Sequence, residues 1–110
     1  MDEILMKAAQ ELDRRGWCKN FGIDDEGRVC LYGAIATVLY PEEYKLKDGG
    51  IPSGFQHHEE VADHAERLVS YIAFKTNKGG LANIFLYNDE VLQTKEEAVK
   101  ALMEAAEYDG

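Results

Sequence analysis

Between Val29 and Leu39 the chain reads VCLYGAIATVL, where only Tyr32, Gly33 and Thr37 interrupt the apolar residues. A helix over this run is apolar on nearly every side, so other elements have to surround it. The enclosing stretch from Gly16 to Tyr40 also holds the only tryptophan, both cysteines and an acidic turn. These features predict a buried central helix ending at Pro41, with the rest of the chain arranged around it.

The flanking segments carry the periodicity such a helix needs in its neighbours. Ile4, Leu5, Ala8, Ala9 and Leu12 recur at three- and four-residue spacing, with Asp2 as N-cap and Arg14, Arg15 and Gly16 as a stop. From His58 the stripe Val61, Ala65, Leu68, Val69, Ile72, Ala73 and Thr76 predicts one long helix of about 19 residues, stopped by Asn77, Gly79 and Gly80. Leu81 to Tyr87 reads as a short helix broken by Asn88-Asp89. Thr94 and Glu97 then form a capping box leading into a helix from about 95 to 107.

Two stretches are irregular. Trp17 to Ile23 followed by Asp24-Asp25-Glu26-Gly27 suits a short hairpin or loop, and a symmetrical hairpin sets Ile23 opposite Arg28 and Phe21 opposite Cys30. Residues 41 to 56, with Gly49, Gly50, Pro52, Ser53 and Gly54, form a connection long enough to be a candidate binding lid. The fold class expected is mainly α: a single domain over residues 1–110 with four or five helices around the central one, and at most a small β-hairpin.

Charge limits the partners. The chain has 21 Asp and Glu against 12 Lys and Arg, a formal net charge of −9. Direct nucleic-acid binding is disfavoured, because affinity for a phosphate backbone depends on basic side chains releasing counterions. An acidic face meeting a protein partner with a basic surface is the matching expectation, and Asp24, Asp25, Glu26, Glu42, Glu43, Glu59 and Glu60 are the candidate binding residues. The N-terminal sequence has no signal-peptide pattern and no run is long enough to span a membrane, which predicts a cytoplasmic protein with Cys18 and Cys30 as free thiols.

An alternative is chemical. Cys30 at the start of the central helix would gain thiolate character from the helix dipole, and His57 or His58 with Asn88 or Asp89 could complete a Cys-His-Asn system of a hydrolase or transferase. The catalytic set of that reading is Cys30, His58 and Asn88. Against it, Cys30 lies in an apolar sequence, where an inert buried cysteine is the commoner finding. Glu60 and His64, like Glu59 and Asp63, sit one helical turn apart, yet no further ligand pair completes a metal site. The acidic turn lacks the alternating oxygen ligands of a calcium loop, and there is no P-loop, dinucleotide turn or GxSxG. No metal or cofactor is expected.

The GWC at 16 to 18, the GRVCLYGAI block at 27 to 35, the His pair at 57 and 58, and the pattern from Asn83 through Asn88-Asp89 to Thr94 and Glu97 have a further meaning. With these motifs the chain resembles a family of small domains of unknown function found in actinobacteria and their phages. Phe85-Leu86-Tyr87 stands where that pattern has a tryptophan. The resemblance implies a common framework and a phage or mobile-element origin, with an accessory or host-interaction role, and it assigns no activity. Taken together, the sequence suggests a small acidic binding or regulatory protein without catalysis.

Overall fold

The computed structural model describes residues 2–44, 56–77 and 82–108. Among them are six α-helices and no β-strand: α1 (Glu3–Arg15), α2 (Leu31–Leu39), α3 (His58–His64), α4 (Glu66–Thr76), α5 (Ala82–Leu86) and α6 (Lys95–Ala106). A π-helical turn, Tyr87–Val91, follows α5 directly.

Helix α2 is the centre. Every residue from Leu31 to Thr37 is buried, and Leu31, Ala34, Ile35 and Ala36 are fully inaccessible. Burying a Leu or Ile side chain is worth roughly 1.5–3 kcal/mol, so Leu31 and Ile35 alone anchor much of the core. Thr37 is accommodated because its hydroxyl donates to the Ala34 carbonyl at 3.0 Å, leaving no polar atom without a partner. Helix α1 packs against both α2 and α6 through Leu5, Ala8, Ala9 and Leu12.

The helix ends follow local chemistry. The Asp2 carboxylate accepts from the Ile4 and Leu5 backbone N–H groups at 3.0 and 3.2 Å. Gly16 closes α1 at φ +99°, donating its N–H to Leu12 at 2.8 Å. At α6 the Thr94 hydroxyl accepts from the Glu97 N–H at 3.2 Å, while the Glu97 carboxylate reaches the Gln93 N–H at 2.6 Å.

Three sequence expectations are corrected. The long helix from His58 is two helices, bent at the buried Ala65 (φ −89°, ψ −1°), whose N–H is shared between the Val61 and Ala62 carbonyls. Shared bonding of this kind is a local tightening that periodicity alone cannot show. Asn88-Asp89 does not break the chain but lies inside the π-helical turn, closed by the Leu92 N–H to the Tyr87 carbonyl at 3.0 Å.

The hairpin is reduced to isolated bridges with a shifted register. Ile23 lies opposite Val29, not Arg28, and Val29 also bridges Trp17. The shift follows from the turn: the Asp24 N–H donates to Arg28 at 2.9 Å and the Cys30 N–H to Gly22 at 3.2 Å, with Gly27 at φ +81° closing the reversal. Glycine takes that conformation without the penalty a side chain would bring. Of the long connection, Pro41–Tyr44 forms a turn in which the Tyr44 N–H donates to Tyr40 at 2.9 Å; residues 45–55, where the lid was expected, lie outside the described residues, as do Gly79, Gly80 and Leu81.

Candidate functional site

Two of the residues that could carry chemistry, Cys30 and Asn88, meet at the first turn of α2. Cys30 is its N-cap, its sulfur accepting from the Gly33 N–H at 3.3 Å. The π-helical turn brings Asn88 to the same place, where its Oδ1 accepts from the Leu31 N–H at 3.1 Å and from the Trp17 indole at 2.7 Å. One residue beyond Leu31, the Tyr32 hydroxyl lies 2.7 Å from the Nδ1 of the exposed His58. Cys30 and Asn88 therefore border the start of α2, His58 is tied to that turn only through the Tyr32 hydroxyl, and each bond named here links them to a structural group.

The thiol is unsuited to attack. Cys30 is 3% exposed, and burial pushes it up to about 11 against the opposing pull of the Gly33 and Tyr32 backbone N–H groups. The helix start does favour the thiolate as the sequence suggests, and desolvation outweighs it. Cys18 is also buried and free; burial, then the neighbouring Cys30 and Asp24, push it up to about 12. Its sulfur lies 3.3 Å from the Phe21 and Arg28 carbonyls.

An expected result follows from these values. An unfolded thiol titrates near 8.5 to 9, below both folded values. Stability due to the buried thiols is thus fully present below about pH 8.5 and is lost as pH rises through about 11 for Cys30 and about 12 for Cys18. Iodoacetamide at about pH 8 should leave both cysteines unmodified until urea unfolds the chain, and rapid modification of folded Cys30 would sink this account.

Asn88 is 1% exposed and fully committed. Besides its two accepted bonds, its Nδ2 donates to the Cys18 carbonyl at 3.1 Å and to Asp89 Oδ1 at 2.9 Å. The same Asp89 oxygen accepts from the Asn20 N–H at 2.9 Å, where Asn20 holds φ +73°. One amide side chain thus ties together the Trp17–Asn20 loop, the start of α2 and the π-helical turn. Sequence reading singled out Asn88 as the group orienting the histidine of a Cys-His-Asn system; the groups it holds are the Trp17 indole and the Leu31 N–H.

Residues 1–108 match a family of unknown function, DUF6197. The chain belongs to that family. No curated protein and no solved structure matches it. In this DUF6197 chain the motif blocks GWC, GRVCLYGAI and Asn88-Asp89 are the segments that the Asn88 bonds join, which gives them a structural meaning.

The acidic candidates divide. Asp24 is 9% exposed, and its surface role is corrected: Oδ1 accepts from the Glu26 and Arg28 N–H groups at 3.0 and 2.8 Å and Oδ2 from the Arg28 guanidinium at 2.6 Å. Burial opposes its ionisation, yet these hydrogen bonds prevail and hold the carboxyl below the usual range. Asp25, Glu26, Glu42, Glu43, Glu59 and Glu60 are exposed. Glu26 lies 3.4 Å from the Arg28 guanidinium.

Sequence reasoning missed a ring stack whose two members each precede a pair of these acids in the chain. The Tyr40 and His57 rings stack at 4.0 Å with 7° between planes, and His57 Nδ1 lies 3.6 Å from Glu60. Glu42 and Glu43 follow Tyr40 by two and three residues, and Glu59 and Glu60 follow His57 by the same steps. Glu60 thus lies beside the stack, and the exposed Glu42, Glu43 and Glu59 stand within three residues of its rings in the chain. Among the described residues, no group of three or more His, Cys, Asp or Glu could hold a metal ion, and no helix is long and apolar enough to cross a membrane.

Proposed function

We propose that this protein acts by binding a basic protein partner, without catalysis of its own. The observation that carries the reading is the Tyr40–His57 stack, with Glu60 beside it and the exposed Glu42, Glu43 and Glu59 within three residues of its rings in the chain. Exposed carboxylates raise the encounter rate with a basic surface and repel acidic competitors, while a half-buried ring pair supplies apolar area for contact. The buried state of Cys30 and the full commitment of Asn88 weigh against the cysteine-enzyme alternative.

The reading includes a cytoplasmic location, supported by the two free buried thiols. It also includes an origin in actinobacteria or their phages and a regulatory, host-directed role, supported by the motif resemblance. The test is capture from an actinobacterial host extract at low and high salt. Immobilised protein is expected to retain a basic protein at low salt and release it as salt screens the contact. Reversing all four glutamates to lysine should abolish capture. Retention of nothing at either salt, or equal retention by the reversed variant, would overturn the proposal.

A further inference from the structure

A second surface lies along the antiparallel pair α1 and α6, and it shares no residue with the Tyr40–His57 end. The pair is fixed at one end by the Asp2 N–H to the Ala106 carbonyl at 2.8 Å and at the other by Lys95 with Asp13 at 3.3 Å. Between them runs a surface groove of about 390 Å³ with Met6, Val99 and Met103 as its apolar floor. Met103 is 44% exposed, a large apolar side chain on a helix face that no element among the described residues covers.

The rim is mainly acidic: Asp13, Glu96, Glu104 and Glu107 line the groove with one lysine, Lys100, and of these acids Asp13 pairs with Lys95 while Glu104 accepts from the Tyr71 hydroxyl, which leaves Glu96 and Glu107 as the open charges. We infer that this groove docks an amphipathic basic helix of another protein, its apolar face on the two methionines and its lysines or arginines against the rim. Methionine is unbranched and polarizable, so such a floor adapts to varied apolar side chains. From Glu96 to Glu107 the groove follows α6 for about 16 Å, room for about three turns of an incoming helix. Both walls are helices whose backbone groups are bonded internally, so they offer no ladder to an extended strand, whereas a helix satisfies its own backbone.

Charge complementarity also decides against other occupants. A second copy of this chain brings a formal charge of −9 to an acidic rim, and a nucleic acid or an anionic membrane meets the same repulsion. A basic helix is attracted at long range and buries apolar area at contact.

The probe is a fluorescein-labelled leucine–lysine peptide of about 18 residues with leucines at helical spacing. A scrambled peptide of the same composition is the control. Fluorescence anisotropy with the full chain at ~0.15 M salt should give micromolar binding for the periodic peptide and at least about tenfold weaker binding for the scrambled one. Met103→Lys, at an exposed position, and separately Glu96→Lys with Glu107→Lys should each weaken binding about tenfold, with circular dichroism and thermal midpoint like the parent's. Absence of binding by the periodic peptide, equal binding of the scrambled one, or parent-like affinity in both folded variants would overturn the inference. Sedimentation as a dimer that Met103→Lys dissociates would assign the groove to a second copy and equally overturn it.

Discussion

Gly33→Ala should destabilise the protein by about 3 kcal/mol or more, although alanine is the best helix former and glycine inside a helix costs about 1 kcal/mol relative to it. The opposing effect is steric. A Cβ on Gly33 would stand 1.9 Å from the Gly22 carbonyl oxygen and 2.8 Å from its carbon, where no flexible side chain can yield. That carbonyl also accepts the Cys30 N–H at 3.2 Å, so the 22–30 turn is clamped onto the first turn of α2. Gly22 is held in turn from behind, since a Cβ there would stand 1.8 Å from the Tyr44 hydroxyl. Accommodating one methyl means moving backbone, and overpacking of that kind exceeds the propensity gain. Urea unfolding decides it: a midpoint at or above the parent's, with unchanged slope, would show that the turn does not press on α2 as described.

The second large effect is expected at Asn88. Asn88→Ala deprives the Trp17 indole and the Leu31 N–H of their acceptor and the Cys18 carbonyl of a donor. A buried polar group left without a partner costs about 1–3 kcal/mol, so a loss of about 4 kcal/mol is expected. That is a large share of the roughly 5–15 kcal/mol by which domains are stable. Asn88→Asp should not rescue the loss. It restores the acceptor but turns the donor into an oxygen facing the Cys18 carbonyl and Asp89 Oδ1. Combined with Trp17→Phe, the alanine variant should be clearly non-additive, because both changes break the same 2.7 Å bond. A loss below about 1 kcal/mol for Asn88→Ala, or strict additivity with Trp17→Phe, would contradict the role assigned to this amide.

Both results bear on function through the same point. Residues that looked chemical in sequence, Cys30 and Asn88, are where the Trp17–Arg28 loop is fastened to the core. The two surfaces proposed for recognition, the stacked Tyr40–His57 end and the α1–α6 groove, can each be altered at exposed positions without touching that fastening.

Local patterns determined a good deal by themselves. The unbroken apolar run placed α2 in the core, because no helix apolar on all sides is stable at a surface. Asp2 and Thr94 marked the starts of α1 and α6, because capping joins a side chain to backbone only two or three residues away. The excess of acids was readable as net charge, since charge adds without regard to fold.

Tertiary structure decided whatever depends on which segment meets which. Periodicity identified the face that α1 buries, but not that its other neighbour is α6, whose packing opens the methionine groove. The break at Ala65 and the one-residue shift in the 22–30 turn arise from backbone bonding, which residue types on either side leave open. Gly33 is an interruption in an apolar run until Gly22, eleven residues earlier in the chain, is seen pressed against it. Cys30 could have been a nucleophile by position, and only its enclosure raised the thiol, because desolvation is set by every atom packed around a group.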